Sequence, residues 1–456
     1  MAGGRPSSSH NQSGSRYSHY DILAIALPIM LSNATVPLIG FADTAVIGQL
    51  GETHLIGAVS IASTMFSVLY FVFIFLRMGT TGLTAQAEGA GDDGEVTATL
   101  ARALLAAGAI GCLLIILQSP IRELGLWLLR ASERVSTHAA IYFEIRIWSA
   151  PAVLANLALF GWFIGLRRAD IAVYLQLLLN GLNILLSLFF VLGLNWSIAG
   201  VAAGSVVAEV IAVVVGLWLA KRQLHRKKAE TALSNILRPA QLKKQFSMSR
   251  DIMIRTVCLQ FAIAFFVAQG AQAGDTPLAV NHILFNIVTI TIYMLDGFAY
   301  AAETLVGQAI GARNRQRFRD AIRLSSQGAV ATSVLLSLGL WFASGFIVDF
   351  MTISPDVRTA ARDYIVAAAL IPLTSVWCFM LDGIFIGATA TRTMRTMMLI
   401  SLAFYLAVWV LCVPVRGFGN NGLWIALHAF FLVRAFTLGL VLPGVERKLF
   451  VSNAKA

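Results

Sequence analysis

Five acidic residues stand inside long apolar runs, where a charge is costly: Asp43, Glu209, Asp296, Glu303 and Asp382. Asp43 is the most isolated of them, in Pro28-Ile-Met-Leu-Ser-Asn-Ala-Thr-Val-Pro-Leu-Ile-Gly-Phe-Ala-Asp43-Thr-Ala-Val-Ile-Gly. An ionisable group within a membrane span is a functional-site candidate by default. Withdrawing a carboxylate from water penalises its charged form, so a group placed this way can load and release a proton. Pro28 and Pro37 share the segment, and each removes a backbone hydrogen bond and permits a bend. Asp43 is therefore the leading proton carrier, on a helix that can bend. The alternative role for Asp43 is a permanent bond to a polar neighbouring helix.

Asn33, Asn180 and Asn183 are candidates for a supporting network of cross-helix hydrogen bonds, with Asn183 the best placed to relay to Asp43. Asp296 and Asp382 each stand in a Leu-Asp-Gly triplet, and Glu303 follows Asp296 by seven residues, so the two can share a helix face. Arg255 is a candidate counter-ion, and Arg77 and Arg434 are further cations inside apolar runs. Two roles stay open for these second-half charges: neutralising one another to hold the fold, or coupling. Glu209, among small residues, reads as a local hydrogen bonder. Met30, Phe41, Met65, Phe66 and Tyr70 are candidates for an adaptable apolar substrate chamber.

These residues need spans to hold them. Of 456 residues, 58% are hydrophobic and 12% charged, against about 25% charged in a soluble domain. Apolar stretches able to cross the bilayer fall at 21–48, 56–84, 101–118, 140–165, 171–193, 199–220, 251–272, 278–308, 325–350, 363–388, 397–414 and 421–443. The fold class expected is an all-α membrane protein of twelve spans. The formal charge of +11 concentrates in the even-numbered loops, at Arg167 and Arg168, Lys221 to Arg250, Arg313 to Arg323, and Arg392 and Arg395. Excess Lys and Arg marks cytoplasmic loops, so both termini are expected in the cytoplasm. The divisions expected are a polar tail 1–20, a first lobe 21–220, a basic linker 221–250, a second lobe 251–443 and a tail 444–456. The linker charge reads as orientation and contact with anionic headgroups, not nucleic-acid binding. Cys112, Cys258, Cys378 and Cys412 read as core residues, with no disulfide or metal spacing.

The two halves repeat. Gln86-Ala-Glu-Gly-Ala matches Gln308-Ala-Ile-Gly-Ala, Gly161-Trp-Phe-Ile-Gly matches Gly383-Ile-Phe-Ile-Gly, and Gly200-Val matches Gly422-Leu, each at an offset of 222. Six spans per repeat insert both halves the same way up, giving two six-helix lobes about an axis along the membrane normal. The acids do not repeat: Asp43, Asp296, Glu303 and Asp382 fall opposite Phe265, Ile74, Thr81 and Phe160. No phosphate-binding GxxxxGK[ST], HExxH or GxSxG sequence is present, so no ATP drive, enzyme activity, metal or cofactor is expected.

Pro28-Ile-Met-Leu-Ser-Asn with Asp43-Thr-Ala-Val-Ile-Gly-Gln-Leu-Gly resembles the first helix of the multidrug and toxic compound extrusion family. Ala301-Ala-Glu-Thr-Leu-Val-Gly-Gln-Ala-Ile-Gly-Ala-Arg and Leu381-Asp-Gly-Ile-Phe-Ile-Gly-Ala-Thr look like its DinF-like branch. The similarity runs over about 20–443. It implies a monomeric, V-shaped antiporter of the bacterial inner membrane, exporting organic, often cationic and amphipathic compounds on a proton or sodium gradient. It also implies that Asp43 is the helix-1 carboxylate and Pro28 the bending proline. Many members carry Asn-x-x-Leu-Asp in the fifth helix, where this chain has Asn183-Ile-Leu-Leu-Ser187. The missing Asp removes a carboxylate from the first-lobe network and weakens a sodium site, so protons are the expected coupling ion. Two alternatives are a lipid-linked precursor flippase, which needs a strongly cationic cavity for which Arg77, Arg255 and Arg434 are too scattered in sequence to argue, and a non-transporting membrane sensor, which the acids inside the spans argue against.

Overall fold

A computed structural model describes residues 16–130, 132–227 and 233–451. Within the first helix the side chains of 36–42 and 44 fall outside the description, and with them the expected roles of Phe41 and Pro37. In hydrocarbon every backbone polar group must find its partner within the segment, and the apolar runs accordingly fold as helices. The first lobe holds α1 (His19–Gly48), α2 (Thr53–Ala90), α3 (Asp93–Ile116), α4 (Glu133–Gly165), α5 (Ala169–Gly193) and α6 (Ser197–Lys227). The second holds α7 (Pro239–Gln272), α8 (Asp275–Gly311), α9 (Arg315–Met351), α10 (Pro355–Gly387), α11 (Thr391–Val415) and α12 (Gly419–Val451). Eleven of these are long and apolar enough to span a bilayer among the described residues, and α1, with 30 residues, makes the twelfth. Ser18 starts α1 by a capping box with Asp21.

Three boundaries differ from expectation. The basic linker shrinks from both ends, because α6 continues to Lys227 and α7 begins at Pro239. Proline fits the first helical turn, and the polar turns that follow extend the helix ahead of its apolar run. The C-terminal tail is helical to Val451. Between α3 and α4 a surface helix, Gln118–Leu129, exposes Leu124, Trp127 and Leu128, an amphipathic interfacial element. Cys112 is exposed, while the other three cysteines are buried as expected.

The offset of 222 is written into the packing. Gln86 Nε2 donates to the Gly387 carbonyl at 2.8 Å, and its counterpart Gln308 Nε2 donates to the Gly165 carbonyl at 3.2 Å. Gly89 sits against the Gln308 carbonyl, and Gly311 against the Gln86 carbonyl. Gly161 meets the carbonyl of Arg77 as Gly383 meets that of Ala299. Even the π-helical ends of α5 and α11, Phe189–Gly193 and Leu411–Val415, keep the register. Small residues let helix backbones approach within a membrane, where no hydrophobic force pulls them together. Self-complementary pairs of this kind are what a twofold interface requires. Thr304 Oγ1 adds a cross-lobe bond to the Ile164 carbonyl at 3.1 Å, and Tyr17 OH one to that of Leu305 at 3.3 Å. This seam lies at the end carrying Arg167, Arg168 and Arg313. From it the described cross-lobe hydrogen bonds extend as far as Asn33 Nδ2 to the Tyr293 carbonyl, 3.1 Å, midway along α1.

Candidate functional site

α1 starts at the basic end, so Asp43, near its far end, stands well beyond the closed seam. It is 4% exposed. Its Oδ1 accepts from the Ser187 hydroxyl on α5 at 3.5 Å, a long and weak bond, and Arg146 on α4 acts on it electrostatically. Arg146 in turn donates from Nη1 to the Tyr142 hydroxyl at 2.5 Å and to Ser205 Oγ at 3.0 Å. Asn183 Nδ2 reaches the same Ser205 at 2.8 Å. Glu209 on α6 accepts from Asn156 Nδ2 at 2.6 Å and also feels the Arg146 charge. The first lobe thus encloses two carboxylates and one guanidinium, with hydroxyls and amides between them.

Sequence reasoning missed Arg146, which follows the charge-rich stretch from Arg122 to Glu144 at the start of the fourth span. The signal was present: residue 146 falls within the expected fourth span, and the criterion applied to acids selects it equally. Asn183 does not bond Asp43 directly. It lies one turn before Ser187 on α5 and reaches α6 instead. Ser187, noted only as a missing carboxylate, is the side chain that faces Asp43. Asn180 bonds Thr35 Oγ1 at 2.8 Å, about two turns before Asp43 on α1, and Asn33 bonds across the lobes, so these two brace α1 without touching Asp43.

The chamber residues disperse. Phe66 is 2% exposed and stacks on Phe143 at 4.9 Å and Tyr70 at 5.5 Å, with Arg146 over its ring at 5.4 Å. It is packing beneath the polar cluster. Met65 packs under Gly125 of the surface helix. Met30 lies at the α1–α8 crossing against Gly297. Tyr70 is the one that joins the polar cluster, within the field of Arg146. A cavity of about 170 Å³ opens instead between the lobes, where Ser32, Asn33, Arg77, Phe160, Gln176 and Tyr300 face one another. Pro28 lies in the first half of α1, at the level of the seam and far from Asp43 along the helix.

In the second lobe Asp382 Oδ2 receives both Arg255 and Arg434. Glu303 Oε2 lies 3.6 Å from Arg77 Nη1 of the first lobe, whose guanidinium also covers the Tyr300 ring at 4.0 Å. Asp296 sits within electrostatic reach of Arg77, Arg255 and Arg434. The three arginines, scattered in sequence, therefore do converge. They meet three acids, however, and the cluster balances to zero instead of forming a cationic cavity. Arg255 is a counter-ion as expected, with Asp382 as its direct partner. Removing one member of a buried pair costs about 3–5 kcal/mol, and Asp382 serves two cations. Asp382→Asn is expected to lower the thermal midpoint of the purified protein more than Arg255→Gln, which leaves the Arg434 pair intact. Equal midpoints for the two variants would contradict this arrangement.

Twelve membrane helices, two pseudo-symmetric lobes joined at one end and a buried polar cluster in the first lobe define the fold of a multi-pass membrane transporter. The MatE family description matches residues 28–189 and 252–412, one match in each lobe, and the chain belongs to that family. It is 37% identical to DNA damage-inducible protein F of Escherichia coli (strain K12), over 91% of this chain and 90% of that one. It is 26% identical to a probable multidrug resistance protein NorM of Pseudomonas syringae pv. tomato, over 91% and 93%. Among solved structures, a MATE protein in the bent conformation superposes with a TM-score of 0.87 at 18% identity, covering 95% of this chain and 96% of that one. An outward-facing multidrug resistance MATE family transporter gives 0.85 at 18% identity, covering 94% and 96%. The protein is thus a multi-pass membrane transporter of the multidrug efflux family and not an enzyme.

Proposed function

We propose that this protein exports organic amphipathic compounds, cationic ones foremost, in exchange for protons, with Asp43 as the proton-carrying group. The observation that carries the reading is the placement of Asp43: a buried carboxylate, beside a polar cluster on the far side of the closed seam, with one long hydroxyl contact among the described residues. The basic loops beside the seam favour a cytoplasmic end there by the positive-inside rule, which would put the Asp43 cluster in the outer half. This orients both termini to the cytoplasm of a bacterial inner membrane. Protonation of Asp43 from outside removes the charge that holds a cationic substrate, and the substrate leaves. When the lobes rock and the seam parts, the proton departs inward and the carboxylate attracts the next substrate. Arg146 tempers that attraction, since any cationic substrate competes with it for Asp43. Exchange of one proton for one monovalent cation moves no net charge, so the pH difference drives it, each pH unit, ~1.36 kcal/mol, supporting a roughly tenfold substrate gradient. A single small-molecule path through one chain suits a monomer.

Ser187 in place of a second carboxylate supports protons over sodium, because sodium favours several oxygen ligands and Asp43 brings only one acid to that wall. In proteoliposomes loaded with a fluorescent organic cation, an imposed pH gradient is expected to drive efflux, and an equal sodium gradient at constant pH is not. Efflux that follows sodium alone would overturn the ion assignment.

A further inference from the structure

We infer that the groove between α3 and the polar start of α7 is a binding site for one anionic phospholipid of the inner leaflet, whose occupant bridges the two lobes. It is a cavity of about 370 Å³ outside the transport pathway described above, walled by Phe75 of α2, Ala106 and Ile110 of α3, and Leu242, Phe246 and Met253 of α7. Polar groups occupy one end of it: Arg102, Gln245, Ser249 and Arg250.

The two ends differ in chemistry and in depth. Arg102 and Arg250 stand where the apolar runs of α3 and α7 begin, at 101 and 251, which is the level of the lipid phosphate. Below them the wall is apolar and suits an acyl chain. Above them Phe246, 72% exposed, and Leu242, 40% exposed, sit on α7 where interfacial aromatic residues gather. Charge around the polar end favours an anion. Arg102 is paired with Glu95, Arg250 lies 3.3 Å and Arg395 2.7 Å from Asp251, and Lys244 faces Arg102 and Glu95. Four cations thus meet two acids. Gln245 Oε1 is buried without a hydrogen-bond partner. Such an acceptor suits a headgroup that carries a hydroxyl, and a buried polar atom left unmatched is otherwise costly.

Position makes the site consequential. Met248, next to Ser249 on α7, packs against Gly82 where α2 meets the Ile386 carbonyl of the seam. A lipid wedged between α3 of the first lobe and α7 of the second therefore touches helices that must separate when the seam parts. Anything that binds one state in preference to the other stabilises it, so the occupant favours the closed seam. The second repeat lacks the site, because Leu324 stands opposite Arg102 at the offset of 222.

The test is native mass spectrometry of the full chain with phosphatidylglycerol and phosphatidylcholine of identical acyl chains. Phosphatidylglycerol is expected to be retained at least tenfold better. Lys244→Ala with Arg250→Gln is expected to bring it down to the phosphatidylcholine level, while Arg447→Ala, on the exposed end of α12, leaves it unchanged. Ala106→Trp, which fills the apolar end, is expected to reduce retention of both lipids. Glycerol phosphate, lacking acyl chains, is expected not to compete. Equal retention of the two lipids, no response to the double variant in protein of unaltered thermal midpoint, or full competition by glycerol phosphate would each overturn the assignment.

Discussion

Asp43→Asn is expected to abolish efflux driven by a pH gradient while the protein inserts and folds as before. The substitution conserves shape, and the amide still accepts from Ser187 at the same place. What it loses is the exchangeable charge. Without that charge a cationic substrate gains nothing at position 43 that a proton can later remove, and the coupling disappears. The thermal midpoint is expected to change little, because Ser187 is the only direct contact described for the carboxylate and a bond of 3.5 Å contributes little. Asp43→Glu is expected to retain part of the activity, since it keeps the acid and displaces it by one methylene. Normal pH-driven efflux by Asp43→Asn vesicles would leave Asp43 a structural residue.

The seam glycines give the second large effect. A Cβ added at Gly89 would stand 2.1 Å from the Gln308 carbonyl oxygen, and one at Gly311 would stand 2.0 Å from that of Gln86. Both neighbours are backbone and cannot swing aside. Gly89→Ala and Gly311→Ala are therefore expected to disfavour the closed seam by about 1–3 kcal/mol, the usual cost of overpacking, shifting the ratio of conformers by about 5- to 150-fold. The twofold relation predicts similar shifts from the two substitutions, although they lie 222 positions apart. Gly345→Ala on α9, where nothing lies within 4 Å, is the control expected to be silent. Spin labels on the exposed Arg222 and Arg447, at the basic ends of α6 and α12, report the opening as a longer distance. An unchanged distance distribution in both seam variants would mean that this interface does not open.

The scaffold was readable because it is periodic and symmetric. Long apolar runs announce the twelve spans, and the Gln86/Gln308 and Gly161/Gly383 pairs announce the twofold seam whose hydrogen bonds and close approaches the structure shows. Asp43 was readable for the opposite reason, as a break in an apolar run. The local context of Arg146 hid it, since a flanking segment rich in charges looks like a connection until α4 is seen to carry it into the lobe beside Ser205. Phe66 and Met65 failed as chamber residues because hydrophobicity at helical spacing gives no direction, and neighbouring aromatic rings decided where they pack. The arginine–acid cluster was unreadable in a stronger sense. Arg77, Arg255 and Arg434 belong to α2, α7 and α12, and only the packed lobes bring them to Asp296, Glu303 and Asp382. The start of α7 at Pro239, well ahead of the apolar run, likewise depended on packing against α2, as Met248 packs on Gly82, which polarity alone does not reveal.

The exchange of proton for substrate at one carboxylate is tested most directly by proton release on binding. In weakly buffered solution near neutral pH, with a pH dye present, adding a saturating organic cation to the purified wild type is expected to release protons, and Asp43→Asn is expected to release none. The same proton release from both proteins, or none from a wild type that demonstrably binds the cation, would contradict the account.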